Sequence, residues 1–163
     1  MVPNDWAGFL RQRLDSNDLH APEVAGINAL SGYKLTYTAK SNYWSQLAEG
    51  EDSTMDARWS LGFTVNTAGA VGDVIMDSVA WKAGLAPAFQ IVAVNGRAFT
   101  TSLLHTAIQN AEGSGPPIEL IVENTGYYKT LKLDYHDGEK YPQLERVPNT
   151  HDRLDDILEP MTK

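Results

Sequence analysis

Hydrophobic and polar positions along this chain follow two different periods. Trp6, Phe9, Leu10 and Leu14 fall at i, i+3, i+4 and i+8, which marks one face of a helix. Asn4 offers that helix a cap and Asp5 a carboxylate for its first turn. Residues 22–30 read as a second short helix stopped by Ser31-Gly32. Residues 33–38 then alternate and are rich in β-formers, which predicts a strand. A structureless stretch of about twenty residues is improbable inside a compact domain. Residues 41–49 are therefore predicted helical, with Tyr43, Trp44 and Leu47 as the apolar face. From Trp59 onward strands crowd together. Leu61–Val65 and 72–76 are predicted strands around a turn at 66–70, and 80–84 is one helical turn closed by Gly84. Strand 90–94 runs into Asn95-Gly96, a tight-turn signal. Thr100 or Thr101 caps a helix through Ala111, with Leu104, Ala107, Ile108 and Ala111 at helical spacing. Gly113 to Pro117 breaks it, and strands 118–122 and 128–135 form a hairpin across Asn124-Thr125-Gly126. The remainder is polar until Thr150, a predicted cap for a last helix carrying Leu154, Ile157 and Leu158.

Composition narrows the function more than the fold. The 163 residues suit one domain with appendages, and 42% apolar with 21% charged residues is an ordinary globular balance. A net charge of −8 with no basic stretch argues against nucleic acid or an anionic membrane as partner. The apolar runs are strand-sized, so no transmembrane helix is predicted, and the start lacks the basic-then-apolar order of a signal peptide. Without cysteine there is neither a disulfide nor a thiolate metal site. The four histidines are scattered, and no HExxH or i, i+4 pair occurs. His136-Asp137-Gly138-Glu139 reads as a turn after a strand rather than a ligand set. There is no GxSxG elbow, P-loop or GxGxxG, and Ser114 sits in the loop Gly113-Ser114-Gly115-Pro116-Pro117. No catalytic residue, metal site or cofactor is assigned to this chain.

Between Tyr33 and Tyr135 the order of elements carries three local signatures. Ser60-Leu61-Gly62-Phe63 matches an X-Φ-G-Φ loop; Ala83-Gly84-Leu85-Ala86-Pro87 leads into Gln90-Ile91-Val92-Ala93-Val94-Asn95-Gly96; and a helix follows at the right distance. Together and in order these resemble a PDZ domain, with Ala88-Phe89 standing where the family usually has Gly-Asp. The expected fold class is α+β. It is a PDZ-like, partly open antiparallel β-barrel or sandwich of five to six strands with two helices. A helical extension over 1–32 precedes the domain at 33–135, which has a helical insert at about 39–58, and a tail with a short helix occupies 136–163. A strand beginning just after Gly62 would leave the N–H groups of Leu61, Gly62 and Phe63 unpaired and convergent, a nest for a terminal carboxylate. The edge of Phe63, Thr64 and Val65 would then take an extended peptide as an added strand. Leu61, Phe63, Val65 and Ile108 would line the pocket for an apolar last residue, and Thr101 and His105 would face the groove from the helix. Arg58 would assist the carboxylate directly or through water. The plainer alternatives are that the apolar four are core, His105 is a packed or solvated histidine, and Arg58 is a surface charge.

The flanks carry a closer resemblance. Asp5-Trp6-Ala7-Gly8-Phe9-Leu10-Arg11-Gln12-Arg13-Leu14-Asp15-Ser16 with His20-Ala21-Pro22, then Val92 to Ala98, Leu133-Asp134-Tyr135-His136 and Tyr141-Pro142-Gln143-Leu144-Glu145-Arg146, are similar to the C-terminal part of bacterial glycyl aminopeptidases. The resemblance spans nearly the whole chain. It implies a piece that follows a thermolysin-like catalytic domain, with Met1 as an added start. In that domain HExxH and a further glutamate bind zinc, and none of its motifs occurs here. The implied parent removes N-terminal residues, glycine preferentially, in a bacterial periplasmic or secreted setting; this piece would be a monomer without activity or cofactor. Two roles stay open for it. It captures a peptide or protein C-terminus and raises its concentration near the zinc, or its groove is filled by the N-terminal helix, the 41–49 insert or the tail, and it braces its own catalytic domain.

Overall fold

The computed structural model describes residues 5–15, 32–51 and 53–158. The chain divides into two compact units, Met1–Leu35 with Leu144–Lys163, and Thr36–Gln143. Within the first, helix α1 (Trp6–Asp15) is capped by Asp5, whose carboxylate accepts the Gly8 N–H at 2.9 Å. The predicted first-turn carboxylate is therefore the cap itself. Asn4 and the helix predicted at 22–30 lie outside the described residues, as do the side chains of Trp6 and Phe9. Leu10 and Leu14 are exposed. The closing helix α5 (Arg153–Leu158) starts from Asp152, which accepts the Asp155 N–H at 3.0 Å. Thr150, the predicted cap, instead donates to the Val147 carbonyl and accepts from Arg146.

Strand β1 (Tyr33–Thr38) has the predicted bounds and pairs with β9 (Tyr141–Arg146) in a two-stranded sheet. Sequence reasoning missed β9 because only Tyr141 of its six residues is buried and Pro142 interrupts the β-formers. A two-stranded ribbon tolerates that proline, since one edge has no ladder to complete.

The unit Thr36–Gln143 is an α+β fold. Its sheets have the orders β2-β3-β4 and β6-β5-β7-β8, every pair antiparallel. They comprise β2 (Thr54–Asp56), β3 (Phe63–Asn66), β4 (Val71–Val74), β5 (Gln90–Val94), β6 (Arg97–Ala98), β7 (Ile118–Asn124) and β8 (Tyr127–Leu133). The inward residues of both sheets and one face of α4 (Thr101–Ala111) share a single core, which includes Phe63, Val65, Ile91, Val94, Leu104, Ile108, Leu120 and Leu133. The strand count exceeds five to six because of β2, β6 and β9. A three-residue strand with one apolar side chain is too short to show a period.

Local chemistry accounts for the elements around the Ser60–Phe63 loop. Thr100 caps α4 by accepting the Leu103 N–H at 3.1 Å, and the predicted stripe Leu104, Ala107, Ile108 and Ala111 is its buried face. Asn42 caps α2 (Tyr43–Gly50) by accepting from Ser45, yet Tyr43 and Trp44 point outward, so the predicted apolar face is only partly covered. Ser78 caps α3 (Val79–Ala83) and Gly84 ends it in the left-handed region. Asn95-Gly96 and Thr125-Gly126 both have positive φ at two consecutive residues, the backbone that a tight hairpin needs.

Ala88, the residue in place of the usual glycine, has φ +67° while its N–H donates to the Val71 carbonyl at 2.9 Å. An L-residue held there by its hydrogen bond costs about 1 kcal/mol. Ala88→Gly is expected to raise stability by about 0.5–1 kcal/mol, read as a higher urea midpoint with unchanged slope. A lower midpoint would show that the turn is not strained.

Candidate functional site

The Ser60-Leu61-Gly62-Phe63 loop is pinned on both sides of its backbone. Its carbonyls face the entry to α3, where Leu61 O accepts from Ala80 N at 3.0 Å and Gly62 O from Ile75 N at 2.8 Å. Gly62 has φ +92°, and a Cβ there would lie 2.1 Å from the Ser78 Cβ, so both conformation and space require glycine. Its N–H groups face the other way and converge, as the motif chemistry predicts, but they are not unpaired. Ser60 N at 3.2 Å, Leu61 N at 2.9 Å and Gly62 N at 2.9 Å all donate to one acceptor, the carbonyl of Ala57. The third donor is Ser60 rather than Phe63, and Phe63 instead offers its carbonyl to Ala57 N at 3.0 Å.

The edge predicted to be open is also occupied. Strand β2 pairs antiparallel with β3 in the register Thr54↔Asn66, Met55↔Val65 and Asp56↔Thr64, which makes β3 the central strand of its sheet. The expectation of a free edge at Phe63–Val65 fails because the chain doubles back through the turn at 57–62 and supplies the partner itself. Side chains alternate along this segment: Met55 and Ala57 are each 2% exposed and belong to the same core as Leu61, Phe63, Val65 and Ile108, while Asp56 faces outward. Those four apolar residues are fully buried, so the pocket they would line is filled.

The polar residues are likewise engaged within the chain. Arg58 donates from Nε and Nη2 to the two carboxylate oxygens of Asp56 at 2.9 and 2.8 Å, and its backbone N–H donates to the same carboxylate. Ser60 Oγ accepts from Lys140 N at 3.0 Å, and Thr64 Oγ1 accepts from Asp73 N at 3.0 Å. Thr101 is half-buried at the first position of α4. His105, one turn on, lies with Nδ1 2.5 Å from Glu139 and Nε2 3.0 Å from Glu49 of α2. The insert helix thus reaches the face of α4 that would look into a groove. Burial first, and then the carboxylates of Glu139, Glu49 and Asp56, push the Tyr141 hydroxyl above its ordinary range. Met55, Asp56, Ala57 and Glu49 carried no motif, and Glu139 only a turn, since what joins them to the site is main-chain pairing and contacts between distant positions.

Beside this segment Asn42, Trp44, Ser45, Asp56, Arg58, Trp59 and Pro142 surround an open cleft of about 440 Å³. Among the described residues no group of three or more His, Asp or Glu side chains is placed to hold a metal ion.

Burial raises the Asp56 carboxyl, but the hydrogen bonds from Arg58 together outweigh it and hold the group below its ordinary value. A depressed carboxylate contributes stability above its unfolded pKa, about 4, and that contribution is lost as pH falls through the folded value. Asp56→Asn is expected to cost about 1 kcal/mol at neutral pH and less near pH ~2. Urea unfolding at the two pH values checks this, and a penalty undiminished in acid would assign it to packing.

No family model matches the chain, and no curated protein matches it. Solved structures do. The chain is similar over 96% of its length to an aminopeptidase N family protein from Idiomarina loihiensis, with a TM-score of 0.54 and 17% identity, and it spans 26% of that longer chain. It also aligns over 71% of its length with 86% of the HtrA3 PDZ domain bound to a phage-derived ligand (FGRWV), with a TM-score of 0.35 and 16% identity. At 17% identity the likeness to the aminopeptidase N family chain is one of fold.

Proposed function

We propose that this chain is a non-catalytic PDZ-like module of a longer, glycyl aminopeptidase-like metallopeptidase, and that it braces its own catalytic domain with its peptide groove closed. The observation that carries this reading is the Ala57 carbonyl, which takes the Leu61 and Gly62 N–H groups, two of the three donors expected for a peptide carboxylate, together with that of Ser60. Strand β2 on the edge of β3 and Glu49 on His105 support the same reading from the two walls of the groove. The fold likeness to an aminopeptidase N family chain, of which this chain spans 26%, is in keeping with a module inside a peptidase. Zinc in such an enzyme belongs to the catalytic domain, and this chain takes no cofactor. Its setting is then that of the parent, a bacterial periplasmic or secreted enzyme. The outward Tyr43 and Trp44 of α2 supply the kind of aromatic surface on which domains dock.

The alternative role, capture of a peptide C-terminus, requires β2 to leave first. Amide spectra of the labelled chain with a mixed pool of peptides bearing free apolar C-termini separate the two. The expected result at about millimolar peptide, the effective concentration of a short tether, is no shift at Leu61–Val65 or around His105–Ile108. Saturable shifts there that vanish when the peptides are amidated would replace bracing by capture.

A further inference from the structure

The segment that fills the groove has the geometry of a ligand, and its side chains describe what the groove accepts. It runs antiparallel to β3 with its carbonyl end at the Leu61-Gly62 loop. Ala57 N donates to Phe63 O, and Ala57 O receives the loop's donors, so Ala57 holds the place of a last residue. Counting back, Asp56 is half-buried against the Arg58 guanidinium, and Met55 turns inward opposite Val65. This alternation is that of an added strand read through every second side chain.

Resting on the closed-groove reading, we propose that Thr54-Met55-Asp56-Ala57 is a tethered pseudo-ligand. The groove beneath it takes external peptides that end in a residue of alanine size with a free carboxylate and carry a methionine-sized apolar residue two positions earlier. The size limit comes from the packing. Ala57 is almost fully buried and belongs to the packed core that also holds Leu61, Phe63 and Ile108, so a large last side chain finds no room. A small last residue is thus a narrower requirement than the apolar one expected from the motif. Met55 occupies the only other inward position of the segment and fills the seat beside Val65. A covalent tether presents this segment at an effective concentration of about millimolar, so the intact chain resists ordinary peptides in solution. Weakening the tether while supplying its sequence in trans reverses that balance.

The test uses Met55→Ser, which empties the inner seat, and the peptide Asp-Ser-Thr-Met-Asp-Ala followed by amide spectra and hydrogen exchange. The variant is expected to bind this peptide at least tenfold more tightly than the unaltered chain. Amidation of the peptide, or phenylalanine as its last residue, is expected to weaken binding by tenfold or more. If Met55→Ser is unfolded, the peptide in trans is expected to restore a dispersed spectrum, and failure to restore it overturns the proposal. A folded variant whose Phe63–Val65 amides exchange faster yet bind no peptide overturns it too, as does equal binding of acid and amide. Binding to the unaltered chain as tight as to the variant is a different failure, since it would mean that the groove was never closed.

Discussion

One carbonyl oxygen organises this site. Ala57 O draws in the N–H groups of Ser60, Leu61 and Gly62, and the turn so formed sets β2 on the edge of β3. Had those donors been left buried and unpaired, each would cost about 1–3 kcal/mol, so a loop of this shape needs an acceptor from somewhere. Gly62 supplies the left-handed backbone that aims the donors, and the contacts of its own carbonyl and that of Leu61 with Ile75 and Ala80 keep the loop from relaxing. The packing of Met55 and Ala57, the Arg58–Asp56 pair and the reach of Glu49 to His105 all follow from the segment lying where that acceptor places it.

Elements with a long period were legible before any coordinates. The stripe of α4, the strand Gln90–Val94 and the turn Asn95-Gly96 occur where side-chain spacing places them, because each buries one regular face in a shared core. Strands β2 and β9 were not, because each offers a single buried apolar residue and owes its conformation to a partner distant in sequence or to a turn. The cap of α5 was misplaced for a related reason, since Thr150 and Asp152 are both good caps and Arg146 engages the threonine.

The site was half legible. The residues of the loop and the helix were identifiable by type and order, and so was the convergence of the loop's donors. What occupies the edge of β3 was not, because main-chain hydrogen bonding leaves no signature in the letters of the sequence. Alanine at 57 and methionine at 55 are ordinary residues until the ladder places them. The pairing of His105 with Glu49 and Glu139 joins positions 56 and 34 residues apart. Only a fold brings such residues together.

The turn at 57–62 also carries an optical label. Trp59 follows Arg58 directly and leans on Tyr37, with ring centroids 5.6 Å apart and planes inclined at 44°. An indole in that position reports the state of the turn through its emission and through energy transfer from the neighbouring phenol. With Trp6, Trp44 and Trp81 replaced, motion of this segment can therefore be followed by light, with no dye attached.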